Sequence, residues 1–219
     1  MAAGEGSRMR PFTDTTPKPL IQICGKTIIE HNIEPIIELF EDIYLIVRYK
    51  KECFSAYFGN SYKWKKIHYI EQGEQPWTGA AILALDGKIN GDFIVVSWDD
   101  LYDTSDIINL SKQSGYATLV KQVENPELFG IFTCDSNWRA TGIIEKPTDL
   151  SIGNLANIGN HKFDNNIFEA LRSLPLSPRW ELEITDLIQH YIKKWEYNVT
   201  EATGRWISIG YPWDLIRAN

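Results

Sequence analysis

Apolar residues recur with helical spacing at Ile28, Ile29, Ile33, Ile36, Ile37 and Phe40, which predicts a helix over about residues 27–39. DIYLIVRY then forms a short β-rich run of buried-strand type, and KKECFSAYFG a helix closing at Gly59. KIHYIEQ alternates and predicts a strand. TGAAILALDGKI predicts a helix beginning near Thr78, and GDFIVVSWDD a strand ending in two carboxylates. SDIINLSKQSG predicts a helix with a serine cap and a glycine stop, and YATLVKQV another strand. Farther on, GIFTCDSNWRATGIIEKP predicts a hairpin, KFDNNIFEALRSL a strand then a helix, and ELEITDLIQHYIKK a helix; YNVTEAT and RWISIG are late strands. Strands alternating with helices at this spacing imply an α/β fold, Rossmann-like, with a mixed, mainly parallel sheet flanked by helices. No repeat or low-complexity linker interrupts residues 1–219, so one domain is expected. Ligands of open parallel sheets sit at the carboxyl ends of the strands. On that rule the opening loop, residues 72–79 and Asp99-Asp100 gather at one rim.

Composition narrows the class. Hydrophobic residues make up 43% and charged residues 23%, as in globular proteins, and no apolar run reaches the roughly 20 residues of a membrane helix. A net charge of −7 argues against a broad electrostatic hold on nucleic acid. Cys24, Cys53 and Cys134 lie far apart, which disfavours a disulfide framework and fits a reducing, cytoplasmic setting. His31, His68, His161 and His190 show no metal-ligand spacing and are expected at the surface or satisfied in the core.

The chemistry begins in AAGEGSRMRPFTDTTPKPL. Gly4 and Gly6 let backbone N–H groups approach an anion, Arg8 offers a bidentate fork, and Lys18 a point charge. Pro11, Pro17 and Pro19 stiffen the loop and reduce the entropy lost on binding. The run matches neither the Walker A pattern nor the dinucleotide fingerprint. Alone, Asp99-Asp100 reads as a polar strand end, Glu145-Lys146-Pro147 as a salt-bridged turn, Trp213 with Leu215 as packing, and Glu183 with Asp186 as a helix face.

In order along the chain, the opening loop is followed by Gln72, Thr78-Gly79-Ala80-Ala81-Ile82, Asp99-Asp100-Leu101-Tyr102, Asn125-Pro126-Glu127, Phe129-Gly130, Ile144-Glu145-Lys146-Pro147, Asn157 with Gly159, Glu183-Ile184-Thr185-Asp186 and Pro212-Trp213-Asp214-Leu215. This order resembles the sugar-1-phosphate nucleotidylyltransferases, across essentially the whole chain, and most of all the pyrophosphorylase half of archaeal-type bifunctional enzymes. The resemblance implies the nucleotide-diphospho-sugar transferase fold and transfer of a nucleotidyl group from a nucleoside triphosphate, UTP or dTTP first, to a sugar-1-phosphate. It implies that Ala3, Gly4, Gly6, Ser7, Arg8 and Lys18 hold the triphosphate. Gln72, Thr78 and Gly79 then meet the base, Asp99 binds Mg2+, and Gly130, Glu145 and Asn157 line the sugar pocket. Lys146 grips the sugar phosphate, and Arg8, Lys18 and Lys146 are the catalytic cations. Nucleic acid and membrane are not expected partners, while a homo-oligomer is compatible with the family.

Departures from the pattern set further expectations. The family begins with a strand ahead of Ala-Ala-Gly, where this chain has Met1, so the front of the chain is expected to be truncated; an acyltransferase domain of left-handed β-helix type often follows the position of Asn219. Trp77 and Trp98 replace family glycines, Trp138 and Trp180 stand at expected turn glycines, and Trp64 and Trp195 fit the same description. A glycine codon read as tryptophan covers the set; a degenerate paralogue or a redesigned pocket are the alternatives. Trp77 and Trp98 are expected to intrude on the nucleotide cleft. Ser208 occupies the usual place of a second Mg2+-binding carboxylate, which leaves Asp99, helped by Asp100. In Asn157-Ile158-Gly159-Asn160-His161 the last two residues also depart, which loosens the assignment of the sugar. A working enzyme and a non-catalytic binding or regulatory domain both stay open.

Overall fold

The computed structural model describes residues 4–75, 77–177, 179–194 and 196–219; Ala3 and Trp195 lie outside them. The chain groups into two compact units, one of residues 1–76, 97–105 and 204–219, the other of residues 77–96 and 106–203.

In the first unit, three short 3-10 turns, Ser7–Met9, Phe12–Asp14 and Lys18–Leu20, carry the opening loop. The helix expected over residues 27–39 begins as predicted. The Thr27 hydroxyl accepts from the Glu30 N–H, and the Glu30 carboxylate accepts from the Thr27 N–H at 2.7 Å. Only Ile28–Ile33 is α-helical; Glu34–Leu39 tightens to 3-10, because Pro35 supplies no N–H and crowds the preceding turn. Strands Asp42–Val47 and Lys65–Glu71 pair in parallel, linked by helix Lys51–Phe58, which stops at Gly59. The expected strand over residues 91–100 divides: Asp92–Val95 belongs to the second unit, while Asp100–Tyr102 pairs antiparallel with Trp206–Ser208. Met9, Ile21, Ile23, Ile28 and Ile209 make a core, with Leu101, Ile207, Leu215 and Ala218 packed against it. Trp213, expected as packing, is 60% exposed and stacks on Tyr211.

The second unit is built on the strand Leu155–Asp164. It pairs antiparallel with Tyr116–Gln122, Gly130–Cys134 and Asp92–Val95. Ala140–Glu145 extends the sheet as the hairpin partner of Gly130–Cys134, and Tyr197–Glu201 joins Tyr116–Gln122 in parallel. The mixed α/β architecture is as expected. In the second unit most pairings are antiparallel, because Leu155–Asp164 runs against three strands and Ala140–Glu145 folds back on Gly130–Cys134. Helices Thr78–Leu83, Ile167–Ser173 and Ile184–Ile192 belong to this unit. Helix Thr104–Ser111 is capped by Asp103, not by serine: the Asp103 carboxylate accepts from the Ser105 N–H at 2.9 Å. His161 is buried, its Nδ1 3.1 Å from the Tyr197 hydroxyl, and burial pushes its pKa down to about 3.

Three tryptophans adopt left-handed backbone: Trp64, Trp138 and Trp180, with φ of 59°, 60° and 60°. Trp77 does not, at φ −80°. No helix among the described residues is long and apolar enough to cross a membrane.

Candidate active site

The opening loop turns at Gly6, whose φ of 62° suits glycine. A Cβ there would stand 3.0 Å from Thr13 Cγ2 and 3.2 Å from Lys18 Cβ. The Gly6 carbonyl accepts from the Met9 N–H at 2.8 Å and from the Thr13 hydroxyl at 2.9 Å. The turn is thereby fixed, and its neighbour Lys18 is fixed with it. Lys18 is only 9% exposed, and its Nζ lies 3.3 Å from Asp99 Oδ2. Lys18 of the opening loop and Asp99, both expected at one rim, thus meet within the first unit. Arg8 is exposed, with its guanidinium 5.3 Å from the centre of the Tyr211 ring. Gly4 is open, with nothing within 4 Å of a Cβ position. Ser7 begins the short turn after Gly6. Gln72 is buried and its amide donates to the Gln75 carbonyl at 2.7 Å.

Asp99 and Asp100 have unlike surroundings. The Asp99 side chain is 55% exposed. Asp100 accepts from the Ile209 N–H at 2.9 Å, the Ser208 hydroxyl at 3.2 Å and the Trp206 indole N–H at 3.1 Å. Burial, then the neighbouring Asp99 charge, push the Asp100 carboxyl up to about 6. Asp100, expected to help Asp99 hold a metal, is occupied on both oxygens by the strand it pairs with. Ser208 donates to Asp100. Among the described residues no group of three or more His, Cys, Asp or Glu could hold a metal ion. An exposed carboxylate beside a lysine nonetheless fits Mg2+, which binds through one or two carboxylates and takes its other ligands from phosphate and water. Trp98 is buried, at 6% exposure.

In the second unit, Thr78 and Gly79 start a helix, and both meet the segment before Ile184–Ile192. The Thr78 hydroxyl accepts from the Ile184 N–H at 3.0 Å, and the Gly79 N–H donates to the Leu182 carbonyl at 2.9 Å. A Cβ on Gly79 would be 2.8 Å from that carbonyl oxygen, so close backbone approach alone demands glycine. Gly130 faces Glu145 across the hairpin; its Cβ position lies 3.0 Å from Glu145 Oε2 and 3.7 Å from Thr185 Cγ2. Desolvation pushes the Glu145 carboxyl up, against the pull of Lys146 and Arg179. Lys146 is exposed, at φ 46°, and its N–H donates to the Phe129 carbonyl at 2.9 Å. Asn157 is half-buried, and its side-chain oxygen accepts from the Gly159 N–H at 3.0 Å.

Glu183 is buried ahead of its helix, not displayed on a face. Burial alone would raise its pKa, but a two-bond clasp from Arg179, at 3.1 and 2.6 Å, with hydroxyls of Ser177 and Thr185, holds it below the usual range. Desolvation, with the Glu183 charge, pushes Asp186 up; its Oδ2 is buried without a hydrogen-bond partner among the described residues. Arg179 is the residue that sequence reasoning passed over. Its only signal was the four-residue spacing to Glu183.

The nucleotidyl transferase family model matches residues 1–219. Over 219 residues the chain is 40% identical to the bifunctional protein GlmU of Methanocaldococcus jannaschii, covering all of this chain and 52% of that protein. It is 29% identical to the UTP--glucose-1-phosphate uridylyltransferase AglF of Haloferax volcanii, covering all of this chain and 93% of that one. The chain thus spans about half the length of GlmU. A crystal structure assigned to a glucose-1-phosphate thymidylyltransferase of Bacillus anthracis superposes with a TM-score of 0.88 at 26% identity, covering 100% of this chain and 91% of that one.

Proposed function

The chain belongs to the nucleotidyl transferase family, and on that premise we propose that it transfers a nucleotidyl group from a nucleoside triphosphate to a sugar-1-phosphate, releasing pyrophosphate. The observation that carries this reading is the Gly6 turn with buried Lys18 against it, reaching exposed Asp99. Backbone N–H groups at Gly4, Gly6 and Ser7, with Arg8 and Lys18, hold the triphosphate. Ala3 belongs to the same run, outside the described residues. Asp99 holds Mg2+, which when bound neutralises phosphate charge. Gln72, Thr78 and Gly79 meet the base; their hydrogen bonds to neighbouring backbone fix where they stand. Gly130, Glu145 and Asn157 meet the sugar, and Lys146 its phosphate.

A phosphate oxygen of the sugar-1-phosphate attacks the α-phosphorus in line; the new P–O bond forms as the bond to pyrophosphate breaks. Such transfer needs positioning and charge neutralisation more than an acid–base pair. Lys18 and Lys146 meet that need as point charges and Arg8 as a fork. UTP and dTTP are the first triphosphates to test. Three free cysteines suit a reducing cytoplasm.

Pyrophosphate release from a panel of triphosphates and sugar-1-phosphates tests the proposal. Turnover with one pair, lost in Lys18→Met, supports it. A flat response with every pair favours the second reading, a non-catalytic binding domain, for which Ser208 in place of a carboxylate is the specific argument.

A further inference from the structure

The strand Asp100–Tyr102 is three residues long and immediately follows Asp99. One edge pairs with Trp206–Ser208, placing Ser208 opposite Asp100. The backbone on the other edge meets a side chain. Asn32 donates from Nδ2 to the Asp100 carbonyl at 2.7 Å, and its Oδ1 accepts from the Tyr102 N–H at 3.3 Å. These are the carbonyl of one residue and the N–H of the residue two along, the two groups a neighbouring strand takes. One carboxamide therefore makes the pair of bonds that a neighbouring strand would make. Asn32 is 2% exposed and sits on the helix locked by the Thr27–Glu30 cap. On the other side, the Asp100 carboxylate ties the strand to Trp206, Ser208 and Ile209.

We infer that Asn32 and Asp100 are positioning residues that clamp this strand from both sides and so set the Asp99 carboxylate, and that Asp100 is not itself a metal ligand. The inference rests on the proposed reading of Asp99. Partners that orient a metal ligand without touching the metal typically change affinity about 10–100-fold when removed.

The test uses the full chain with Mn2+ and inorganic triphosphate, reading bound Mn2+ by electron paramagnetic resonance beside a thermal melt. Asp99→Asn is expected to abolish binding at unchanged melting temperature. Asn32→Ala is expected to weaken it about tenfold, and Asp100→Asn to weaken without abolishing it. Should Asn32→Ala fail to fold, Asn32→Asp keeps the volume and the acceptor but loses the donor, and the same loss is expected. Binding unchanged in the folded Asn32 variant overturns the clamp, as does its complete loss in Asp100→Asn at unchanged melting. If the unaltered chain binds no Mn2+, the reading of Asp99 falls and takes the inference with it.

The backbone carries a second inference independently. Trp64, Trp138 and Trp180 combine φ near 60° with exposures of 80%, 42% and 77%. Left-handed backbone strains a bulky residue, and so exposed an indole recovers little by burial. Lys63 and Trp64, both at positive φ, connect Ser61–Tyr62 to Lys65–Glu71 as a two-residue hairpin turn, a place that favours Asn-Gly. We infer that these three positions are glycine in the natural polypeptide, through a codon that one genetic code reads as tryptophan and another as glycine. Peptide mass spectrometry of the protein from its own cells decides it. Glycine masses at all three are expected, and intact tryptophan overturns the inference.

Discussion

Each unit holds two acids beside a cation, and in each the two acids are used differently. In the first, Asp100 accepts from Trp206, Ser208 and Ile209, while its neighbour Asp99 keeps an exposed carboxylate near Lys18. In the second, Glu183 is buried in the clasp of Arg179, while Glu145 lies against Gly130 at the open end of a hairpin. One acid of each pair is held by several donors within the fold, and the other, in the proposed reading, is left for a ligand. Charge does not tell them apart; the number of donors around each does.

The strongest way to break this comparison is to remove a cation from the ligand side. Lys18→Met should lower nucleotidyl transfer on the order of a hundredfold or more, as loss of a charge-stabilising group does, with little change in melting. A collapse in stability instead would make Lys18 a structural residue. Glu145→Gln should raise the KM for sugar-1-phosphate about tenfold and leave that for the triphosphate alone, whereas Glu183→Gln should chiefly lower stability. Equal kinetic effects would erase the distinction in the second unit.

Ser208→Asp sets a third carboxylate beside Asp99 and Asp100. Without divalent cation the melting temperature should fall by roughly 2–4 °C, and magnesium should restore it; a melt indifferent to magnesium would contradict Asp99 as the metal-facing acid. The smallest effect is on pH dependence. The lowered Glu183 pKa means its contribution is present above the unfolded value of about 4.3 and lost as pH falls through the folded value. Glu145, raised, contributes the other way, its share being lost as pH rises past the unfolded value. Melting curves across this range should flatten on the acid side in Glu183→Gln and on the opposite side in Glu145→Gln.

Much of this was legible in order along the chain. The capped helix start at Thr27, the stop at Gly59 and the 130–145 hairpin follow from local rules of capping, turn and alternation, while the helix at Thr78 starts where expected but without a side-chain cap. What the sequence hid is partner choice. Residues Asp99 and Asp100 are identical in kind, and only a strand 108 residues away separates them by binding one. Asn32 looked like any helix residue, since its partners are backbone groups about seventy positions on. Arg179 was hidden for the same reason that Trp180 drew attention: an unusual side chain masks an ordinary neighbour. The resemblance assigns Thr78 and Gly79 to the base, but sequence does not reveal that the Leu182 and Ile184 backbone also claims them.

The strand Leu155–Asp164 also governs the order in which the second unit can be assembled. Its partners Asp92–Val95, Tyr116–Gln122 and Gly130–Cys134 all leave the ribosome before it does. Until residue 164 has emerged, those edges lack the neighbour that completes them, so the nascent half-sheet must be shielded from other chains. Synthesis pauses near that point should therefore govern yield more than pauses elsewhere in the unit.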